Sequence, residues 1–141
     1  MESAPDLKEV YLRTYDILTT GDTAAFDRLT SHDARVVVIG TDPDEWWTDP
    51  TTLAEAVKAQ GALVQSSGMQ LVPGAVQAYR EGSVGWVIDR PRFRLPDGRE
   101  TEMRATAVFH QEQGEWKLVH SHYSLGVPNA EVPGFAGLTT S

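Results

Sequence analysis

Two adjacent tryptophans, Trp46 and Trp47, are the residues of this sequence whose chemistry points most directly to a ligand. A tryptophan side chain can bury about 150–250 Å², so exposing two of them is costly. One ring is expected to cover the core and the other the mouth of a pocket, where its flat face suits an apolar or aromatic molecule; alternatively, both rings only cover the core. The same loop, 41–48, carries three acids that are either solvated or, if held over the pocket, candidate bases: Asp42, Asp44 and Glu45.

A row of arginines at alternating positions is the second candidate: Arg90, Arg92 and Arg94. Side chains at every second position of a strand share one face. If that face lines a pocket at Arg90, its guanidinium suits a carboxylate or enolate oxygen. If it points elsewhere, the arginines are surface charges paired with acidic neighbours, and this second interpretation is favoured for Arg92 and Arg94.

His120 and His122 lie two residues apart on a predicted strand and could supply half of a metal site. The sequence offers no recognisable third ligand, so no metal is predicted, and a hydrogen-bonding or interface role is favoured. The glycine-rich nucleotide motifs, the serine-hydrolase motif and the zinc-protease motif are not present in the sequence either. No cofactor is therefore predicted.

Length and composition favour one soluble domain over 1–141, with a core at about 7–128 and a C-terminal tail at 129–141. The net charge of −8 argues against a nucleic-acid partner. The chain has no cysteine, which excludes disulfides and thiolate chemistry. It has no apolar run of about 20 residues and no basic, apolar leader, so a cytoplasmic location without a membrane partner is predicted.

The first half of the sequence is predicted to form three helices around one short strand. Apolar residues at spacings of three and four indicate a first helix, which begins at a capping box formed by Asp6 and Glu9. A short second helix and a third helix follow, with the strand at 35–40 between them. Three residues are expected to end or cap these helices: Gly21, Asp22 and Asp49.

The second half predicts an antiparallel sheet of strands at 69–79, 83–95, 100–111 and 115–125. Pro73-Gly74 suggests a bend in the first of these strands, and Asp97-Gly98 is the strongest hairpin signal in the sequence. Helices followed by such strands indicate an α+β fold. The last strands carry apolar residues on both faces, which predicts a homodimer through the outer face of the sheet.

The segment 114–124, followed by Pro128, resembles the last strand of the SnoaL-like branch of the nuclear transport factor 2 (NTF2)-like superfamily. It is also similar to the association domain of calcium/calmodulin-dependent protein kinase. The segment 40–47 resembles the loop after the first strand of SnoaL-like proteins, and Tyr15 with Gly21-Asp22 resembles the first helix of ketosteroid isomerase. The resemblance implies an NTF2-like (cystatin-like) cone, in which three N-terminal helices pack in a strongly bent antiparallel β-sheet.

The resemblance also implies which side chains face the pocket of the cone, although one bulge would reverse the assignment. They are Ala105, Ala107 and Phe109 on one strand, Trp86, Ile88 and Arg90 on another, and Val119, Ser121 and Tyr123 on the last. His120 and His122 are then expected on the outer face, where such proteins usually dimerise.

Tyr15 matches the oxyanion-binding tyrosine of ketosteroid isomerase, although the alternative is that it belongs only to the apolar face of its helix. The isomerase also needs a carboxylate base and a protonated carboxylic acid beside the tyrosine. The matching positions are Val38 and Ala107, neither of which can titrate. The steroid isomerase mechanism is therefore not expected, and any turnover would need another group, from the Asp44-Glu45 loop, Asp89 or the histidine pair.

These observations predict a SnoaL-like protein that binds a small apolar or aromatic carbonyl-type molecule in a hydrophobic pocket. Cofactor-free acid–base catalysis, such as isomerisation, cyclisation, dehydration or hydrolysis, is one possibility, with no catalytic residue assigned. The alternative is a non-catalytic NTF2-like binding or dimerisation module, which Val38 and Ala107 favour. The predicted ligand-binding residues are Tyr15, Trp46, Trp47, Trp86, Arg90, Ser121 and Tyr123.

Overall fold

Three helices occupy the first half of the chain in the computed structural model, which describes residues 1–138. They are α1 (Pro5–Thr20), α2 (Thr23–Leu29) and α3 (Pro50–Ser67). Gly21 ends α1 with φ at 71°, in the left-handed region that glycine adopts readily. Asp22 caps α2 by accepting the Ala25 N–H at 3.0 Å, and Asp49 caps α3 by accepting the Thr52 N–H at 2.9 Å. The three predicted boundary residues are confirmed.

The start of α1 differs from the prediction. Ala4 is the N-cap, Pro5 begins the first turn, and no side chain in the described part of the chain caps it, so the capping box is wrong. Asp6 instead accepts a hydrogen bond from the Trp116 indole nitrogen at 2.9 Å, which lowers the pKa of the Asp6 carboxyl. This bond ties the start of α1 to the last strand of the sheet.

Helices α1 and α3 approach each other closely at two glycines. A Cβ atom built on Gly61 would lie 2.3 Å from the Gly21 nitrogen and 2.7 Å from the Thr20 carbonyl carbon. No real side chain fits in that space, because the atoms around it belong to the backbone. The backbone of α3 therefore rests directly on the end of α1.

Ten strands are present within residues 1–138. They are β1 (Glu2–Ser3), β2 (Val37–Ile39), β3 (Trp46–Trp47), β4 (Gln70–Val72), β5 (Gln77–Glu81), β6 (Val84–Asp89), β7 (Arg92–Arg94), β8 (Glu100–Glu102), β9 (Arg104–Glu112) and β10 (Glu115–Ser124). A seven-stranded sheet has the order β1-β5-β6-β9-β10-β2-β3, and a three-stranded sheet has the order β4-β7-β8.

The α+β fold with three helices and a curved sheet is confirmed, with one correction. The pairing of β10 with β2 is parallel, whereas the other strand pairs of both sheets are antiparallel. Hairpin turns fix the direction of β5, β6, β9 and β10. No hairpin joins β2 to β10, since one helix and seven strands lie between them in the chain, so local sequence signals do not set their relative direction.

Three of the predicted long strands are each broken in two, and their halves belong to different sheets. The break between β4 and β5 lies at Pro73-Gly74, as expected. Pro91 lies between β6 and β7, and Met103 lies between β8 and β9. The Met103 N–H donates to the Pro91 carbonyl at 2.8 Å, so these two breaks are neighbours. The breaks divide the predicted single sheet into the large and small sheets.

The inner face of β6 is displaced by one residue from the prediction. Val87 and Asp89 are the buried residues, at 1% and 3% exposure, whereas Ile88 is 43% exposed. The inward assignment is therefore wrong for Trp86, Ile88 and Arg90. Both faces of β6 carry apolar side chains, so alternation alone does not reveal which face packs against the helices.

The last strand contains a bulge that explains why its inner face was only partly predicted. Leu118 pairs with Phe109, but His120 pairs with the next residue back, Val108, so Val119 is the extra residue. Leu118 lines the interior before the bulge, and Ser121 and Tyr123 line it afterwards. The inward placement of Ser121 and Tyr123 is confirmed, whereas that of Val119 is wrong.

The predicted C-terminal tail contains two short 3-10 turns, Asn129–Glu131 and Ala136–Leu138. Its last part, 139–141, lies outside the described residues. Within residues 1–138, the helices are too short or too polar to cross a membrane.

Candidate functional site

A cavity of about 430 Å³ lies between the three helices and the inner face of the sheet. This volume falls within the usual range of small-molecule sites, about 300–1,000 Å³. Most of its wall is aliphatic or aromatic, with contributions from all three helices and both sheets. The larger apolar lining residues are Leu18, Phe26, Val38, Ile39, Trp47, Leu53, Val57, Leu63, Leu71, Phe93, Met103, Phe109 and Leu118.

Hydroxyl groups from α1 and β10 give one end of the cavity its polarity. Tyr11 and Thr14 on α1 and Ser121 and Tyr123 on β10 all line the wall. The Thr14 hydroxyl donates to the backbone carbonyl of Tyr11 at 2.6 Å, so its proton is already used. Tyr11 and Ser121 are only 2% and 6% exposed, which places them deep in the structure.

A buried carboxylate, Asp89, lies behind this end of the cavity. Its Oδ2 accepts hydrogen bonds from the hydroxyls of Tyr11, at 3.0 Å, and of Tyr15, and its Oδ1 accepts the Gly74 N–H at 2.9 Å. The two phenol oxygens are 2.9 Å apart. We call Tyr11, Tyr15, Tyr123 and Asp89 the tyrosine–aspartate cluster. Tyr11 and Tyr15 donate their hydroxyl hydrogens to Asp89, and the Tyr123 hydroxyl lies beside that of Tyr11, so Tyr123 is the candidate donor to a ligand.

The phenols of this cluster are donors at neutral pH and not bases. Burial raises the pKa of Tyr11 and Tyr15 well above the usual range of tyrosine, and the hydrogen bond to Asp89 adds to the effect at Tyr15. Burial also raises the pKa of Tyr123 to about 12. A neutral phenol that lines an apolar cavity can donate to a carbonyl or developing oxyanion.

The segment that joins β2 to β3 contributes the exposed Thr41 and the half-buried Glu45 to the cavity lining, and we call this end the mouth of the cavity. Trp47 lines the cavity, whereas Trp46 is 64% exposed and points away. The two tryptophans were predicted to lie in a loop, but they form β3, in which Trp47 pairs with Val38 and Trp46 with Ile39. Successive side chains of a strand point to opposite faces, so only one of the two rings covers the cavity.

Glu45 is the carboxylate of the cavity lining, and its side chain occupies the space above Gly40. A Cβ atom on Gly40 would lie 2.8 Å from both Cβ and Oε1 of Glu45. The Gly40 N–H donates to the Glu45 carbonyl at 2.8 Å, which continues the pairing of β2 with β3. β2 also pairs with β10, and this pairing ends at Ile39 and His122, one residue before Gly40 and Tyr123. β2 therefore lies between the strand of Tyr123 and the strand that Glu45 precedes.

The structure brings three of the predicted ligand-binding residues to the cavity: Trp47, Ser121 and Tyr123. Tyr15 does not line the cavity, but its hydroxyl is hydrogen-bonded to that of Tyr11, which does. Three others lie outside the cavity lining: Trp46, Trp86 and Arg90. Trp46 lies on the face of β3 that points away from the cavity, opposite to Trp47. Trp86 lies on the outer face of β6, and Arg90 follows the last residue of that strand.

The arginine row lies on and just before β7, the central strand of the small sheet. Arg90 is within 3.8 Å of Glu102, and Arg92 and Arg94 are within 3.6 and 3.5 Å of Glu100. The interpretation of Arg92 and Arg94 as surface charges with acidic neighbours is confirmed. It also holds for Arg90, whose side chain is 79% exposed.

The histidine pair lies outside the cavity lining, as expected from the strand face. The His120 ring nitrogen Nδ1 is 2.7 Å from the Val37 carbonyl, and His122 is exposed. Among residues 1–138, no three residues of the types His, Cys, Asp and Glu are grouped so that they could hold a metal ion.

Sequence reasoning missed Tyr11 and gave Asp89 only as one of several titratable groups. Tyr11 and Tyr15 are four residues apart, so they share one helix face, and their hydroxyls were a visible sign that this face is not purely apolar. Asp89 on β6 was equally visible as an acid in an apolar strand. What the sequence does not show is that α1, β6 and Gly74 meet at one point.

The fold is shared with solved structures of low sequence identity. A protein of unknown function from Pseudomonas putida KT2440, described as NTF2-like, has a TM-score of 0.72 at 13% identity, over 84% of this chain and 83% of its own. A protein from Shewanella frigidimarina NCIMB 400, provisionally assigned as a ketosteroid isomerase, has a TM-score of 0.68 at 18% identity, over 82% and 92%.

A third structure, of a protein from Streptomyces avermitilis provisionally assigned as a dehydratase of the NTF2-like family, has a TM-score of 0.66 at 16% identity, over 88% and 99%. At these identities the likeness shows the fold alone. No curated protein matches the sequence. The model of the SnoaL-like domain matches residues 7–128, which is most of the chain and includes every residue of the cavity wall. The chain therefore belongs to the SnoaL-like family, within the NTF2-like fold.

Proposed function

We propose that this protein binds a small, mostly apolar molecule in the cavity, with an oxygen atom of the ligand placed at the tyrosine–aspartate cluster. The observation that carries the proposal is an apolar cavity of about 430 Å³ with the hydroxyls of Tyr11, Ser121 and Tyr123 in its wall. Apolar walls supply most of the affinity of such sites, and a few fixed polar groups supply orientation.

The hydrogen bonds of the cluster support a carbonyl or ether oxygen as the ligand atom. Asp89 accepts from Tyr11 and Tyr15, which fixes the orientation of both phenols. The Tyr123 hydroxyl lies beside that of Tyr11 and lines the cavity, so it is the phenol that we assign as donor to an acceptor there. A ligand oxygen that accepts from this hydroxyl avoids the cost of burying an unpaired donor when the ligand fills the cavity.

The cavity wall does not support the proton transfer of ketosteroid isomerase. Val38 and Ala107, which match the two acids of that enzyme, both line the cavity and are aliphatic. A carboxylate does lie beside Tyr15, contrary to the expectation from Ala107, but it is Asp89, and it is separated from the cavity by Tyr11. Binding is therefore the function that the cavity supports best.

Binding is tested with 2-tetralone, a bicyclic aromatic ketone, by isothermal titration calorimetry. Tyr123→Phe removes the donor and should weaken binding about fivefold, the usual cost of one neutral hydrogen bond. Tyr79→Phe is the matched control, since Tyr79 lies on β5 outside the cavity lining and its hydroxyl donates to Gln77. Binding that is undetectable, or equal in wild type and Tyr123→Phe, contradicts the proposal.

A homodimer through the outer face of the large sheet is a second proposal, supported by the apolar residues left there. Val84 and Ile88 are each 43% exposed, and the rings of Tyr79 and Trp86 lie together between them, with centroids 6.1 Å apart. Contiguous apolar surface of this kind is typical of interfaces. Light scattering should give a dimer mass that Ile88→Lys reduces and the tail control Val127→Lys does not. A monomeric wild type contradicts the proposal.

A further inference from the structure

The lining of the cavity carries a single formal charge, and that charge is negative. Glu45 is the one carboxylate among the lining residues, and no lysine, arginine or histidine of the described chain contributes to the wall. Asp89, which accepts a hydrogen bond from Tyr11 and is 3% exposed, is also a carboxylate. The charged side chain that a ligand in the cavity meets directly is therefore Glu45.

The Glu45 carboxylate has bonding capacity left over. Its Oε1 accepts the Asp42 N–H at 2.8 Å and lies 3.5 Å from the Thr41 hydroxyl. No group within residues 1–138 donates to Oε2, and no described cation lies within ion-pair distance of Glu45. A carboxylate accepts about four hydrogen bonds when its lone pairs are satisfied, so Oε2 is available to a donor in the cavity.

The position of this carboxylate is fixed by the chain around it. The Glu45 N–H donates to the Asp42 carbonyl at 2.9 Å, and Gly40 binds the Glu45 carbonyl, so the backbone on both sides is held. Gly40 has no side chain, and Glu45 fills the space that one would occupy. Neighbouring strands lie about 4.8 Å apart, and β2 lies between β10 and β3, so the backbones of Tyr123 and Glu45 are separated by about two strand spacings.

We propose that Glu45 selects the charge of the ligand, by favouring a molecule with a protonated amine near the cavity mouth and rejecting one with a carboxylate there. An ammonium group donates to Oε2 and is attracted by a charge that no protein cation neutralises. A carboxylate meets like charge in a partly dry site, where repulsion is poorly screened. This inference rests on the proposed binding function and names the class of ligand that it takes: an apolar amine with an oxygen or ring at its deep end.

Three probes with one skeleton separate charge from shape: 2-(2-naphthyl)ethylamine, 2-(2-naphthyl)ethanol and 2-naphthylacetate, which are cationic, neutral and anionic at pH 7. Affinities are measured by calorimetry at low ionic strength, and competition with 2-tetralone locates each probe in the cavity. We expect the amine to bind about tenfold more tightly than the alcohol, as for a hydrogen-bonded charge in a half-buried site, and the acetate more weakly than both.

Two variants and one control test the role of Glu45. Glu45→Gln keeps an acceptor for the Asp42 N–H but removes the charge, so the amine and the alcohol should bind within twofold of each other. Gly40→Ala keeps the charge but displaces the side chain from its site, and should also reduce the preference. Asp44→Asn removes a charge one residue away on an exposed side chain, and should leave the tenfold preference unchanged.

The outcomes separate this inference from the binding function on which it rests. If the alcohol competes with 2-tetralone and the amine binds no more tightly than the alcohol, charge selection is wrong and the binding function stands. A preference that persists in Glu45→Gln, or that Asp44→Asn removes equally, also overturns the assignment to Glu45. If no probe binds and 2-tetralone does not bind, the binding function fails, and charge selection fails with it.

Discussion

At the deep end of the cavity Asp89 accepts three hydrogen bonds in a buried cluster, whereas at the mouth Glu45 accepts loop contacts through one oxygen only. Both are single carboxylates beside tyrosine or tryptophan rings, yet their surroundings differ. Asp89 is held by residues from α1, β6 and the β4–β5 bend, which are far apart in the chain. Glu45 is held by its own six-residue segment, 40–45. The comparison separates a carboxylate that stabilises the fold from one that is open to a ligand.

The largest effect should come from breaking the deep end. Asp89→Ala leaves the hydroxyls of Tyr11 and Tyr15 and the Gly74 N–H without their acceptor, and each unsatisfied buried group costs about 1–3 kcal/mol. We expect the free energy of unfolding in urea to fall by about 3–5 kcal/mol. The matched change at the mouth, Asp44→Ala, removes an exposed acid and should cost about 0.5 kcal/mol or less. A loss below about 1 kcal/mol for Asp89→Ala would remove the distinction between the two ends.

The paired tryptophans sharpen the comparison at the mouth. Trp47→Ala removes a large apolar surface from the cavity wall and should weaken 2-tetralone binding about tenfold or more. Trp46→Ala changes a side chain that is 64% exposed, so binding should stay within twofold. Calorimetry gives the affinities and thermal unfolding gives the stabilities. Equal losses of affinity and melting temperature in both variants would show that the two rings only cover the core.

High pH should act on the deep end and leave the mouth unchanged. The pKa of Tyr11 is raised in the folded protein, so between the unfolded value of about 10 and the folded value the unfolded chain has lost a proton that the folded chain keeps. Stability is therefore full below pH 10 and falls above it, by about 1.4 kcal/mol per pH unit for each such tyrosine. Urea unfolding should show this fall, with a shallower slope in Tyr11→Phe. An equal slope in the wild type and in Tyr11→Phe would mean that the pKa of Tyr11 is not raised in the folded protein.

The mildest test removes one phenol that does not line the cavity. Tyr15→Phe deletes one of the two protons that Asp89 accepts, while Tyr11 and Gly74 still donate to it. We expect a loss of about 1–2 kcal/mol in stability and less than a twofold change in 2-tetralone affinity. A larger change in affinity than in stability would place Tyr15, and not Tyr123, in contact with the ligand.

Local signals in the sequence predicted the elements of this fold well. Gly21, Asp22 and Asp49 each act within four residues of their own position, so the sequence around them is sufficient to place the helix ends. The same holds for the Asp97-Gly98 turn, where Gly98 has φ at 89° between β7 and β8. The α+β order follows from these local signals and from the apolar periodicity.

The candidate site was harder to predict, because its residues meet through long-range pairing. The face of β6 depends on its register with β9, where Val87 pairs with Ala107, and an apolar residue at every position from 86 to 88 fits either register. The bulge at Val119 shifts the inner face of β10 in mid-strand and has no local sign. Ser121 and Tyr123 were placed inward because they lie after the bulge, in register with the match to the family.

The close contact of α3 with the end of α1 has a consequence for ligand thickness. Gly61 and Gly21 do not line the cavity, but α3 carries Leu53, Val57 and Gln60 of its wall. Since even a methyl group at Gly61 would meet the Gly21 backbone, α3 lies as near to α1 as two backbones allow. A larger residue at position 61 would move α3 outward and widen the cavity without changing one wall residue. The contact between these two glycines thus sets the distance between the two helices and, with it, the width of the cavity.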